Sequence, residues 1–373
     1  MYKHFVITYK LTRFIPAPLR GLLRECLNTE TYDRFLAQRR DPYHLLESDY
    51  VAPGSPYTLG IILQESHYHK NYVAACREIG ISYRLLDLKR DDWIETFLKS
   101  KCDAFLAWPS PERSIWKEMF DERLRILSED LHQIIYPSLK ELWLYENKRR
   151  TRDWLLAHRI PHPRSWVFFD AESARAFVRD ATLPLIFKTT LGASSRGVWI
   201  LTKRRKALHM VDKAFGAGIT PRRALKYERQ RGSVYFQEYL PNVQEWRMVR
   251  IGESFFGYKK GRVNEFHSGS RIKHWGAPAE TLLALTREIT DKGGFTSMNI
   301  DFFETEDGRY LVNEMHTVFG QSTIEQMRVG GKAGRYRFDQ ETQQWVFEEG
   351  DFARNACANA RVKHLIENVL RHD

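Results

Sequence analysis

Hydrophobic positions after Tyr57 fall into short continuous runs that alternate with stretches spaced at three and four residues. TLGIIL, ISYRLLDL and DAFLAW read as strands, with HQIIYP strand-like after them. Between them NYVAACREIG reads as a helix stopping on Gly80, and DDWIETFLKS as a second helix. The stretch 112–131 repeats apolar residues at helical spacing through Trp116, Met119, Phe120, Leu124, Leu127 and Leu131. Strands alternating with helices imply a parallel sheet in an α/β domain over 57–137.

The pattern then changes. SLKELWLYENKRRTRDWLLAHRI predicts one long helix ending at Pro161 and Pro163. RSWVFF, PLIFK and VWIL read as strands and AESARAFVRDA as a helix, while 202–232 is basic and irregular. VYFQEYL is strand-like. WRMVRI and FFGYKK flank the turn Gly252-Glu253-Ser254 as an antiparallel hairpin. A helix over 279–291 precedes a second hairpin, SMNIDFF and RYLVNEM, about Asp307-Gly308, and ARNACANARVKHLIENVL reads as a C-terminal helix. The chain thus joins an α/β unit to an α+β unit, with no internal repeat.

Composition narrows the partners. The chain of 373 residues is 43% hydrophobic and 28% charged, ordinary for a globular protein. Its net charge of +11 favours anionic partners without choosing among nucleotides, phosphorylated carriers, nucleic acid and a membrane surface. Cys26, Cys76, Cys102 and Cys357 form no Cys-x-x-Cys pair, which argues against zinc and disulfide frameworks. No apolar run suits a spanning helix, and MYKHFVITYK lacks the apolar centre of a secretory leader, so a cytoplasmic location is expected.

Two constellations carry chemistry. In PLIFKTTLGASSRGV, Lys188 ends a strand and is followed by a loop of small residues, Gly192, Ala193, Ser194, Ser195 and Gly197. Exposed backbone N–H groups in such a loop can cradle phosphate oxygens beside the lysine charge; an ordinary hairpin loop has the same composition. The second pair is Asp301 and Glu314, placed inside apolar strands of one hairpin, where an acid is costly unless paired or metal-bound. Hard oxygen ligands of this kind hold magnesium together with nucleotide phosphates.

The order of these motifs resembles the ATP-grasp superfamily over 57–330. Lys148 on a helix comes first, Lys188 before the Gly-rich loop second, the acidic strand end QEYL third, then Glu245 with Arg247, and last Asp301 with Glu314. The resemblance implies a Rossmann-like α/β pre-ATP-grasp domain and ATP held between two antiparallel sheets. With the basic segment that closes on VAPGSP before it, this divides the chain into a basic accessory segment at 1–56, the pre-ATP-grasp domain at 57–145, a lid at 146–240, a metal-bearing subdomain at 241–330, and a hairpin and helix at 331–373. Lys148, Lys188 and the 192–197 loop would contact ATP phosphates. Gln237, Glu238 and Leu240 would receive adenine, and Glu245 would lie near the ribose. Arg247 would steady the transferred phosphoryl group. Asp301 and Glu314 would hold Mg2+, with His316 standing where the family usually has Asn. The segment VNEFHSGSRIKHW is similar to one in a branch linked to surface-polysaccharide biosynthesis. It would place Asn264, Ser268, Gly269 and Ser270 at a substrate, with Lys260 and Arg271 as catalytic cations. Gly320 and Ser322, in TVFGQS, would receive a carboxylate.

By this resemblance the chain is an ATP-dependent carboxylate–amine ligase forming an amide or peptide bond through an acyl phosphate. Its substrates would be a small-molecule carboxylate and an amine: an amino acid, a peptide, or a uronic-acid-bearing glycan. An ATP-grasp kinase and a non-enzymatic nucleotide- or nucleic-acid-binding protein are the other readings; no specific nucleic acid is expected. In 1–40, Lys3, Lys10, Arg13, Arg20, Arg24, Arg34, Arg39 and Arg40 outnumber Glu25, Glu30 and Asp33. This segment could rest on an anionic membrane surface or pack on the enzyme body. His67 and His69, in ESHYHK, lack a third ligand nearby and read as a surface loop.

Overall fold

The computed structural model describes residues 48–111, 113–191, 197–222, 224, 228–262, 272–320 and 325–372. Most of the basic 1–56 segment, residues 1–47, lies outside them. Its described end is stitched to the α/β unit: Leu85 N–H donates to Asp49 Oδ1 at 2.8 Å, and Tyr50 bridges Tyr83.

The first unit is a parallel sheet ordered β2-β1-β3-β4, from β1 (Thr58–Ile62), β2 (Ser82–Leu86), β3 (Ala104–Leu106) and β4 (Ile135–Tyr136). The central strands β1 and β3 are buried and largely apolar because helices cover both faces, while the edge strand β2 carries the exposed Arg84. Helix α1 (Lys70–Ile79) ends on Gly80 at φ 79°, the left-handed cap that glycine adopts without strain. It packs on one face together with the C-terminal helix. Helices α2 (Trp93–Ser100) and α3 (Ser114–Arg125) cover the other through Phe97, Phe120 and Leu124.

The stretch expected as one long helix is two. Ser138 and Glu141 form a capping box that opens α4 (Leu139–Leu144), and Asn147 caps a new start at α5 (Lys148–Ala157). Between them Glu146 takes φ 54°, which no helix continues through. The cap at Asn147 outweighs the unbroken apolar spacing.

The lid sheet is antiparallel, ordered β5-β8-β6-β7, from β5 (Ser165–Phe168), β6 (Leu185–Lys188), β7 (Val198–Leu201) and β8 (Val234–Glu238). One face packs on α6 (Ala171–Asp180) and α7 (Arg204–Phe215). The second of these lies in the segment expected to be irregular. Its buried stripe is Ala207, Val211 and Ala214, small residues that hide helical periodicity among basic neighbours.

The third unit is an eight-stranded antiparallel sheet. It contains β9 (Gln244–Ile251), β10 (Ser254–Lys260), β11 (Lys273–His274), β12 (Ser297–Glu304) and β13 (Tyr310–His316). The strands β14 (Met327–Val329), β15 (Lys332–Asp339) and β16 (Gln344–Glu349) extend it. Helix α8 (Glu280–Gly293) covers one face, and α9 (Ala358–His364) sits beside the α/β unit. Among the described residues no helix is long and apolar enough to cross a membrane.

Buried Glu141 ties α4 to this sheet by accepting from the N–H groups of Thr296 at 2.8 Å and Ser297 at 2.6 Å. Glu141→Ala leaves both donors buried without acceptors, at about 1–3 kcal/mol each. Urea unfolding should show a loss of about 3 kcal/mol. A loss under about 1 kcal/mol would mean that water replaces the carboxylate.

Candidate active site

Strand alternation gives both sheets one apolar and one polar face, and the polar faces line a shared cleft. In the lid, Leu185, Phe187 and Phe236 turn toward α6 and α7, so Lys188, Tyr235 and Gln237 turn the other way. In the large sheet Trp246, Met248, Met298, Ile300, Phe302 and Met315 lie under α8. Their alternates Glu245, Arg247, Asp301, Glu314 and His316 occupy the opposite face. The register is direct: Asp301 stands opposite Arg247 on one side and Glu314 on the other, and Lys260 stands opposite Glu245. The cleft between the two sheets is lined by Lys148, Lys188, Gln237, Asn313, Glu314 and His316, among others.

Asp301 is fully buried and heavily paired. Arg247 grips it with both fork arms, Nε to Oδ1 at 2.9 Å and Nη2 to Oδ2 at 3.1 Å, and Lys260 Nζ donates to Oδ2. Burial pushes its carboxyl up, but the charges of Arg247 and Lys260 outweigh that and hold it well below the usual range. Lys260 also pairs with buried Glu245, whose pKa burial raises despite that partner. Arg247 reaches Glu325 as well, Nη1 to Oε1 at 3.3 Å.

Glu314 opposes two lysines. Lys148 Nζ lies 3.8 Å from its Oε1, and Lys188 extends from the lid strand beside it. Burial raises the Glu314 pKa, while Lys148, His316 and Lys188 together carry it well below the ordinary value. The same burial drives Lys188 down to about 8, with the Lys148 charge adding to the effect and Glu314 opposing it. His316 Nε2 faces Glu314 Oε2 at 3.3 Å. One ligand atom from each of Asp301, Glu314 and His316 falls within a 4.8 Å group, compact enough for one metal ion.

Of the other expected positions, Gly197 closes the loop tightly: Thr189 N–H donates to its carbonyl at 2.8 Å, and a Cβ there would overlap Thr189 Oγ1 at 1.8 Å. Gln237 Nε2 donates to Ser165 Oγ at 3.2 Å. The Glu238 side chain is turned to Arg164, whose Nε donates to it at 2.8 Å, and Leu240 follows the strand end half-buried. Gly320 takes φ 92° against Ala356. Gly192, Ala193, Ser194, Ser195, Asn264, Ser268, Gly269, Ser270, Arg271 and Ser322 lie outside the described residues. His67 and His69 are not a surface loop: His69 is buried, and its Nδ1 accepts from Gln64 N–H at 3.3 Å. The turn after β1 folds inward, where Ser66 and Ser110 meet at 3.1 Å.

Three contributors escaped the sequence reading. Asn313 accepts from Lys188 Nζ at 3.0 Å although it neighbours Glu314, which strict alternation would place on the opposite face. Register slips there, with Asp301 opposite Glu314 but Phe302 opposite Val312, so Asn313 is a bulged residue turned into the cleft. Glu325 is the buried acid beyond Arg247. Glu146 lies at the break before α5, with Oε1 3.6 Å from His316 Nδ1.

The depressed Lys188 pKa has a direct readout. Its amine should half-react with an acylating reagent near pH 8, against above 10 for exposed lysines, when labelling is followed by peptide mass spectrometry. An inflection above pH ~10 would rule out the burial argument.

No family model matches the chain. It is 25% identical over 217 residues to the alpha-aminoadipate–LysW ligase LysX of Saccharolobus solfataricus, covering 55% of this chain and 74% of that protein. It is 26% identical over 191 residues to the D-alanine–D-alanine ligase of Tolumonas auensis, covering 48% of this chain and 57% of that one. Among solved structures, carboxyaminoimidazole ribonucleotide synthase from Aspergillus clavatus, complexed with ATP, superposes with a TM-score of 0.52 at 12% identity. That match covers 83% of this chain and 77% of the other. These relatives, with the mixed α/β architecture and its several sheets, all point to the ATP-grasp superfamily.

Proposed function

We propose that this chain is an ATP-dependent ligase that joins a carboxylate to an amine. The observation that carries the reading is the convergence of Lys148 and Lys188 with Asp301, Glu314 and His316 in one cleft between two antiparallel sheets. The two named ligases among its relatives support the same reaction class.

A carboxylate is a poor electrophile until it carries a leaving group. Transfer of the ATP γ-phosphoryl group to a carboxylate oxygen releases ADP and leaves an acyl phosphate. Attack by the amine nitrogen forms the C–N bond, expels inorganic phosphate and releases a proton. What the protein must supply is positioned positive charge and exclusion of water. Lys148 and Lys188 are set to meet phosphate oxygens, and a phosphate beside Lys188 would favour its charged form. A divalent cation at Glu314, His316 and Asp301 would neutralise phosphate charge. All four acceptor directions of Asp301 are filled by Arg247, Lys260 and a weak contact from Asn299 at 3.4 Å. Asp301 therefore takes a metal only by giving up one of these donors, and the long Asn299 contact is the one most easily lost.

Within this reading ATP and Mg2+ are the cofactors. The acceptor is an amino acid, a peptide or a uronic-acid-bearing glycan. The glycan, and contact of residues 1–56 with an anionic membrane surface in the cytoplasm, rest on the sequence reading alone.

Mass spectrometry of reactions with ATP and pooled carboxylates and amines should reveal water-losing coupling products alongside ADP and phosphate. Hydroxylamine should trap the activated carboxylate as a hydroxamate; ADP with a stable phosphorylated product would establish a kinase instead. Lys188→Ala should weaken ATP binding by roughly 10- to 100-fold, the worth of about 1.5–3 kcal/mol for a charged hydrogen bond. Asp301→Asn with Glu314→Gln should abolish turnover, and Glu314→Gln alone, outside the buried Arg247–Asp301–Lys260 network, should do so with circular dichroism unchanged. Turnover at the wild-type rate would remove the metal assignment.

A further inference from the structure

Glu146 is a buried acid that the scheme above does not use. It is 7% exposed, sits in the break between α4 and α5 at φ 54°, and lines the cleft. Its Oε1 lies 3.6 Å from His316 Nδ1, while its Oε2 is buried with no hydrogen-bond partner among the described residues. A buried carboxylate oxygen left without a donor is costly, and a nearby cation would offset that cost. Across the imidazole, Nε2 faces Glu314 at 3.3 Å, within the compact group that Asp301 completes. The ring thus has a carboxylate at each nitrogen. With a cation on Nε2 in place of the proton shared with Glu314, the remaining ring proton would sit on Nδ1, facing Glu146. Such a carboxylate–imidazole pair orients a metal-binding histidine and raises its basicity. Tyr145, edge-on to the ring with centroids 6.3 Å apart, fixes its plane further.

Resting on the reading that Asp301 and Glu314 hold the divalent cation, we propose that the Glu146–His316 pair makes imidazole nitrogen the third ligand and turns the site toward Mn2+ over Mg2+. Mg2+ prefers all-oxygen octahedra and gives up water reluctantly. One imidazole added to two carboxylates and phosphate oxygens suits a first-row transition ion, and Mn2+ is the one among them that keeps a strong preference for oxygen. In this arrangement His316 is the ligand and Glu146 the positioning residue.

The test uses the full chain with MnCl2 as the probe, read by electron paramagnetic resonance and by calorimetric competition with MgCl2. The wild-type Mn2+ spectrum should carry a 14N coupling in pulsed measurements, and Mn2+ should bind at least roughly tenfold more tightly than Mg2+. His316→Asn should lose the coupling and collapse the preference. Glu146→Gln should weaken Mn2+ by roughly 10- to 100-fold. Mn2+ bound without nitrogen coupling in the wild type, together with loss of binding in Glu314→Gln, would overturn the inference and leave the carboxylate site standing. No Mn2+ binding, or binding untouched by Glu314→Gln, would overturn both. The wild-type spectrum decides even if a substituted chain fails to fold.

Discussion

The burial of Asp301 between Arg247 and Lys260 is the constraint around which the large sheet is arranged. Removing a carboxylate from water costs several kcal/mol even after relaxation, and only close, well-aligned partners offset that. Here the offset comes from three neighbouring strands, because Arg247 stands opposite Asp301 and Lys260 lies one strand further on. The same cations then need their own balance. Lys260 finds Glu245, and Arg247 finds Glu325, which Lys273 also approaches at 3.8 Å. Loss of any one member strands a buried charge, so the network holds or fails as a set. A sheet can carry this on one face only because its other face is continuous hydrocarbon under α8, and a one-residue slip would exchange the two.

A network of this kind also stores positive charge where it is needed without exposing it. Cations already desolvated and held by protein acids need little reorganisation when a phosphate replaces the acid as partner. Lys188 shows the opposite limit. It has an amide rather than an acid as its direct partner, Asn313, and its charge is correspondingly insecure. An anion arriving in the cleft changes Lys188 more than it changes Arg247, whose pairing with Asp301 already secures it. The two sides of the cleft are therefore complementary, one with charge held in reserve and one with charge that a ligand would complete.

Much of this was legible in the sequence because strands announce themselves by alternation. SMNIDFF and YLVNEMH show an acid inside an apolar run, and pairing through the Asp307-Gly308 turn follows directly. Lys188 at a strand end before small residues was visible in the same way. What stayed hidden depends on local backbone events that composition does not encode. The bulge that turns Asn313 inward breaks the period on which strand reading relies. The helix break at Glu146 is set by its left-handed backbone and the cap at Asn147, neither of which apolar spacing registers. Helix α7 was obscured because alanine serves for burial without looking hydrophobic. His69 was misplaced because a polar tripeptide reads as surface unless the fold around it is known.

The way the three units are joined has its own logic. Among the described residues the core of the β5–β8 sheet draws on residues between Trp166 and Phe236, so this sheet and its two helices pack around a core of their own. The α/β unit is tied to the large sheet differently. Fully buried Arg361 lies over Trp108 of one and Phe319 of the other, with its Nε on Ser297 Oγ at 2.9 Å. That seam is buried, and opening it would expose apolar surface and a buried guanidinium together. The lid instead meets its surroundings through polar ties, Lys188 to Asn313 and Lys148 N–H to the Thr190 carbonyl at 3.1 Å. Water or a ligand can replace a polar tie at little net cost, whereas nothing in solution replaces a packed core. Ties of this replaceable kind are concentrated around the β5–β8 sheet, and Lys148, Lys188 and Asn313, which make them, also line the cleft.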